Sequence, residues 1–174
     1  MVKLYVCKIC GEPYLGGTAP DDCPFCGAPV NYLKDAEEFH PLWETEMSSQ
    51  EGKNMQETLN LEVNATAYYK KVAENNKKYS KYNRLFKQLA RVEKEHLEVA
   101  AKFLGIDLPE IIGEDVKENI EKDLERTKDL ENEAIELYEK FLKNSENSNV
   151  KNFYIALIHA EKGHHEIARD NLKK

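Results

Sequence analysis

Two short stretches, Glu93-Lys94-Glu95-His96 and Glu161-Lys162-Gly163-His164, carry the chemistry around which the chain beyond about residue 54 is organised. Each is a Glu-x-x-His, and on a helix that spacing sets a carboxylate and an imidazole on one face, one turn apart. Both pairs interrupt apolar stripes: Leu85/Phe86, Leu89, Glu93, His96, Ala100 and Phe103 in one, Phe153, Leu157, Ala160/Glu161, His164 and Ala168 in the other. Ionisable groups aimed into a core destabilise it unless something binds them, and a metal ion is the leading candidate. The motif alone proves little. A third copy, Glu37 and His40, is followed at once by Pro41 and has no apolar helical stripe around it.

Helical periodicity predicts four long amphipathic segments to position these groups. The first runs from about Asn54, an N-cap with Glu57 three residues on, to about Lys78, and the second from about Lys81 to Leu104, stopped by Gly105. The third runs from about Asp115 to Asn144, and the fourth follows the turn-like residues 144–149 to the C-terminus. Residues 105–114, with Pro109 and Gly113, are long enough to run most of the length of a bundle at about 3.3 Å per extended residue. Two short turns flanking one long crossover describe an antiparallel four-helix bundle of ferritin-like connectivity. The expected class is therefore mainly α.

The other two helices supply carboxylates at matching positions. Glu62 lies on the inward stripe Leu59, Glu62, Thr66, Tyr69, Ala73, and Glu131 on the stripe Ile120, Leu124, Thr127, Glu131, Ala134, Tyr138, Phe141. Both open the pattern Glu-x-x-Ala-x-x-x-Tyr, and Glu62 precedes Glu93 by 31 residues as Glu131 precedes Glu161 by 30, so the two halves repeat. One Glu from each of two helices and Glu-x-x-His from each of the others is the ligand set of a dinuclear carboxylate centre. Two neighbouring cations repel, so bridging carboxylates are needed, and imidazoles complete each coordination sphere without added charge. The expected bridges are Glu93 and Glu161, with Glu62 and His96 terminal on one metal and Glu131 and His164 on the other. Tyr69 and Tyr138, about two turns beyond the terminal glutamates, are placed either to hydrogen-bond a ligand carboxylate or to fill the core. Glu133 and Glu136 turn away from the stripe, and Glu95, His159 and His165 are expected at the rim or in solvent.

Residues 1–34 are of another kind, with four of the six prolines, four of the eight glycines and all four cysteines. The cysteines form two knuckles, Cys7-Lys8-Ile9-Cys10 and Cys23-Pro24-Phe25-Cys26, each letting two thiolates converge on one ion. Four thiolates in a tetrahedron select zinc or iron. Residues 35–53, with Phe39, His40, Trp43 and the run Ser48-Ser49-Gln50-Glu51-Gly52, read as a linker with a few anchoring aromatics, which leaves 54–174 for the bundle.

Composition bounds the partners. With 41% apolar and 33% charged residues the 174-residue chain is a globular protein, and a net charge of -7 disfavours nucleic acid or an anionic membrane, which require a basic face. No stretch approaches a membrane span, no apolar signal region precedes the first cysteine, and clustered cysteines in a reducing compartment point to a metal. The expected location is cytoplasmic.

The run Tyr5-Val6-Cys7-Lys8-Ile9-Cys10-Gly11, with Tyr14, Gly16, Ala19-Pro20 and Cys23-Pro24-Phe25-Cys26-Gly27-Ala28-Pro29, resembles the rubredoxin-like module of rubrerythrins. That resemblance implies one iron on Cys7, Cys10, Cys23 and Cys26 that passes single electrons, with a zinc ribbon as the alternative. The bundle extends the likeness to most of the chain, the module standing first rather than in the commoner last position. The resemblance implies a di-iron oxidoreductase, with Glu62, Glu93, His96, Glu131, Glu161 and His164 as catalytic metal ligands, reducing hydrogen peroxide to water in protection against oxidative stress. Electrons would come through the four-cysteine iron from an external reductase or rubredoxin, since the chain has no Gly-x-Gly-x-x-Gly for a nicotinamide nucleotide. One departure matters: rubrerythrins usually carry a second glutamate one turn after the terminal glutamate of the third helix, where Ala134 stands here. Either Glu133 and Glu136 are that pair, or the site is more symmetric, as in bacterioferritin. The alternative function is ferroxidase chemistry with dioxygen and iron handling, with structural zinc in the cysteine site. A homo-oligomer, a dimer or larger, is expected in each case, because a module on a flexible linker can bring its iron to a neighbouring subunit.

Overall fold

The computed structural model describes residues 1–113, 115–117 and 119–173, with Glu38 described by its backbone alone. Strands β1 (Lys3–Cys7), β2 (Pro13–Gly16) and β3 (Leu33–Asp35) form an antiparallel sheet in the order β2-β1-β3, with Leu4 opposite Leu15 and Cys7 opposite Leu33. Three short strands bury little by themselves. Leu33 of β3, with Ile9, Ala28 and the four cysteines, instead shares one core with Met55, Leu97, Phe153 and Leu157 of the bundle, while Leu4 and Leu15 stay exposed.

Four helices follow: α1 (Ser49–Asn75), α2 (Lys81–Leu104), α3 (Ile120–Asn144) and α4 (Ser148–Leu172). Helices α1 and α2 pack along their lengths, as do α3 and α4, whereas α1 and α3 touch over a shorter stretch. The molecule is thus two helical hairpins joined by a crossover, the ferritin-like bundle that the turn lengths imply. Helix α2 has the expected bounds and ends on Gly105 in the left-handed conformation, φ 64°. The crossover passes so close to α1 that a Cβ on Gly113 would lie 2.6 Å from Ala67 Cβ, which only glycine allows.

Two boundaries differ from the sequence reading. Helix α3 begins at Ile120, not near Asp115, because the Asn119 side chain caps it by accepting from the amides of Glu121 and Lys122. Helix α1 begins at Ser49, well before Asn54, because Ser48 and Glu51 form a reciprocal capping box. Glu51 does more than cap. One oxygen accepts from Ser48 N at 2.8 Å, while the other accepts from Glu146 N at 3.0 Å and Asn147 N at 2.9 Å, where α4 starts. Asn147 Nδ2 also donates to Thr45 Oγ1 at 2.8 Å, and Asn149 Nδ2 to the Leu42 carbonyl at 3.1 Å. The segment between module and bundle is therefore held to α4, and Lys102 lies 4.6 Å above the Trp43 ring.

Burial works to raise the Glu51 carboxyl, but the amides of Asn147, Ser48 and Glu146 outweigh it and hold the group below its ordinary range. Glu51→Ala orphans amides at the starts of two helices and should lower stability by about 2–4 kcal/mol in chemical denaturation. A loss below about 1 kcal/mol would mean that the box is replaced by water.

Candidate metal centres

The four cysteines meet at one end of the bundle and are almost wholly enclosed, with 0–3% of their surface exposed. Cys7 Sγ lies 3.7 Å from Cys26 Sγ and Cys10 Sγ lies 3.9 Å from Cys23 Sγ. A tetrahedron with metal–sulfur bonds of about 2.3 Å has edges of about 3.8 Å, so the sulfurs already stand where one ion would hold them. Their proton affinities have split: hydrogen bonding with Cys10 lowers Cys23 and Cys7, and hydrogen bonding with Cys23 and Cys10 raises Cys10 and Cys26 respectively. Such a set yields its remaining protons to a cation.

The second cluster occupies the middle of the bundle. Glu62, Glu93, His96, Glu131 and Glu161 are at most 3% exposed and His164 is 7% exposed. They form two groups of four that share Glu93 and Glu161: one adds Glu62 and His96, the other Glu131 and His164. All six residues singled out from the sequence converge, and the shared pair is the pair expected to bridge. His96 Nδ1 lies 2.9 Å from Glu93 and 3.2 Å from Glu161, and His164 Nδ1 lies 2.9 Å from Glu93 and 3.0 Å from Glu161. Yet both Nδ1 atoms and all four oxygens of Glu93 and Glu161 lack a hydrogen bond of acceptable geometry. These separations are the edges of coordination polyhedra with bonds of about 2.1 Å. The donor set fits two oxygen- and nitrogen-bound cations.

The electrostatics agree. Burial, then the charge on Glu161, pushes Glu62 up to about 8, and burial with Glu93 and Glu161 pushes Glu131 well above the carboxylate range. Burial acts on Glu161 in the same sense, but His96 and His164 outweigh it and hold that carboxyl low. Both imidazoles are raised well above their ordinary value, because the glutamates outweigh a burial effect of opposite sign. Alone, the cluster balances its charge with protons.

The two tyrosines hydrogen-bond carboxylates of the cluster, and they do so crosswise. Tyr69 donates to Glu131 and Tyr138 donates to Glu62, so each half of the repeat holds the other's terminal glutamate. The Glu-to-Tyr spacing points to the tyrosines but not to these partners. Glu37 and His40 are both exposed, as are Glu136 and Glu133, the latter paired with Arg126 at 2.9 Å. Neither Glu133 nor Glu136 joins the cluster. Ala134 does line it, so neither of the two groups of four gains a further carboxylate from that position. His159 is exposed on Asp22 at 2.7 Å, and Glu95 and His165 are half-buried outside the cluster.

One connection carries no sequence signal. His96 Nε2 lies 2.9 Å from the Cys26 carbonyl oxygen. A carbonyl only accepts, so Nε2 donates, which leaves the Nδ1 lone pair for the cluster. The approach is close because Gly27, at φ 70°, lets the second knuckle sit on α4, where a Cβ would stand 3.0 Å from Ala160 Cβ. The two clusters of one chain are thus joined by a single hydrogen bond.

The family model described as rubrerythrin matches residues 53–172, and the one described as the rubredoxin-like domain of rubrerythrin matches residues 5–34. No curated protein and no solved structure matches the chain. No described helix is long and apolar enough to cross a membrane. With the first match spanning well over half its length, the chain belongs to the rubrerythrin family, its rubredoxin-like domain preceding its bundle.

Proposed function

We propose that this protein reduces hydrogen peroxide to water, with one iron on Cys7, Cys10, Cys23 and Cys26 and two on Glu62, Glu93, His96, Glu131, Glu161 and His164. The observation that carries the reading is the hydrogen bond between His96 Nε2 and the Cys26 carbonyl, which sets an electron-transfer ligand directly behind a di-metal ligand. Two irons held by these six residues would supply two electrons and Lewis acidity to the oxygen–oxygen bond. That bond breaks, two protons and two electrons are taken up, and two waters form. The electrons arrive singly at the four-cysteine site from an external reductase or rubredoxin. The chain's residues hold the geometry: Tyr69 and Tyr138 fix the terminal glutamates, and the Cys26 carbonyl fixes the His96 ring. We further propose a cytoplasmic protein that associates into a dimer or larger assembly, although electron delivery within one chain does not require it.

Symmetry around Ala134 favours a second reading, iron oxidation by dioxygen with structural zinc on the cysteines. Metal analysis and a visible spectrum of anaerobically purified protein separate the two: about three irons with thiolate-to-iron bands support peroxide reduction, and two irons with one zinc support iron handling.

Three outcomes follow from the leading reading. Reduced, iron-loaded protein consumes hydrogen peroxide, and Glu93→Ala, which removes a bridge from both half-sites, should lower the rate at least about a hundredfold. Gly27→Val, which lifts the second knuckle from α4, should slow reoxidation of the thiolate iron by peroxide at least about tenfold while leaving its absorption bands in place. An unchanged rate in either case would overturn the assignment of that residue.

Protons and metals also compete. Without metal, Glu62 keeps a proton up to about pH 8 in the folded state but loses it near pH 4.5 when unfolded. Its stabilising contribution is complete below the lower value and is lost as pH rises through the higher one; the raised imidazoles act in the same sense above their unfolded value of 6.5. Glu161 acts oppositely, contributing above 4.5 and losing its contribution as pH falls. Metal-free protein should therefore lose about 2–5 kcal/mol between pH 5 and 8, and metal-loaded protein should not. Denaturation curves at the two pH values check this, and a flat metal-free profile would contradict it.

A further inference from the structure

A cluster enclosed by four helices needs an opening, and the seam between α1 and α3 offers one. Helices α1 and α3 meet over a shorter stretch than either hairpin pair. Between them a narrow void bordered by Leu61, Ala65, Tyr69, Leu130 and Ala134 reaches Glu62, Glu93, Glu131 and Glu161. It leaves no room for a water molecule. Directly outside lies a surface pocket of about 370 Å³ with a polar rim that includes Glu57, Asn60, Asn64, Arg126 and Glu133. Leu61 and Leu130 line both spaces.

The two leucines are counterparts in the internal repeat. Leu61 precedes Glu62 as Leu130 precedes Glu131, and an alanine follows each leucine by four residues, on the same helix face. A leucine side chain hops between rotamers far faster than an enzyme turns over, while the alanine below offers only a methyl group. The absence of a glutamate at Ala134 thereby acquires a positive role. A longer side chain there would fill the space through which the carboxylates are reached.

We propose that Leu61 and Leu130 form a paired gate admitting an oxidant no bulkier than hydrogen peroxide between α1 and α3, with Ala65 and Ala134 holding the passage beneath it clear. The substrate class rests on the peroxide-reducing reading, whereas the position of the gate rests on the packing alone. The test uses the full chain with both metal centres loaded and is read in two ways. Azide binding to the oxidised di-iron centre, followed by stopped-flow absorption, reports access without turnover. Consumption of hydrogen peroxide relative to tert-butyl hydroperoxide reports size selection.

The double variant Leu61→Ala/Leu130→Ala should bind azide about tenfold faster and lose about tenfold of its discrimination against the bulky peroxide. Ala134→Leu should slow azide binding by a similar factor at unchanged iron content. Should Ala134→Leu fail to hold iron, the double leucine variant decides, since neither leucine is a ligand. Unchanged azide rates in the iron-loaded double variant would overturn the gate. Azide rates that follow the gate in a protein that leaves peroxide untouched would uphold the gate and sink the peroxide reading alone.

Discussion

A protein interior tolerates four carboxylates and two imidazoles together only when their charges are balanced at bonding distance. In this bundle the balance is struck among Glu62, Glu93, His96, Glu131, Glu161 and His164, and much of the architecture serves it. Each of the four helices contributes at least one of these residues, so the bundle must close completely for the charges to meet. The crosswise tyrosines occupy lone pairs that the cluster itself leaves open. Protons and cations are alternative occupants of the same arrangement, which makes metal loading and the acid–base state of the core two aspects of one equilibrium.

The cysteine module breaks the near two-fold symmetry of the bundle. It rests on His96 and against Ala160, beside Glu161, and has no counterpart on the other half. Two groups alike in their residues thus differ in their surroundings. The half-site containing His96 is continuous with the module through a hydrogen bond, whereas His164 lies nearer the surface.

Local chemistry was readable in the sequence wherever one helix turn sufficed to express it. The Glu-x-x-His pairs, the inward placement of Glu62 and Glu131, and the stop at Gly105 all depend on neighbours within a few residues. Features set by distant neighbours were not readable. Helix α1 reaches back to Ser49 on the Ser48–Glu51 capping box, a local pattern, whereas the bonds that Glu51 accepts from amides 95 and 96 residues away leave no local trace. The bonds that Asn147 and Asn149 make to the segment between module and bundle leave no local trace either. The partners of Tyr69 and Tyr138 lie 62 and 76 residues away, and the Cys26 carbonyl lies 70 from His96.

The crossed tyrosines bear on what each hairpin can satisfy alone. Either hairpin alone, α1 with α2 or α3 with α4, carries two glutamates, a histidine and a tyrosine whose hydroxyl has no carboxylate to hold. Two copies of one hairpin placed face to face would satisfy every one of these groups reciprocally. In the present chain the crossover joins the two hairpins, and the exchange is made within one molecule. A lone hairpin holds only three of the six clustered residues, so docking of the hairpins and assembly of the cluster are one event.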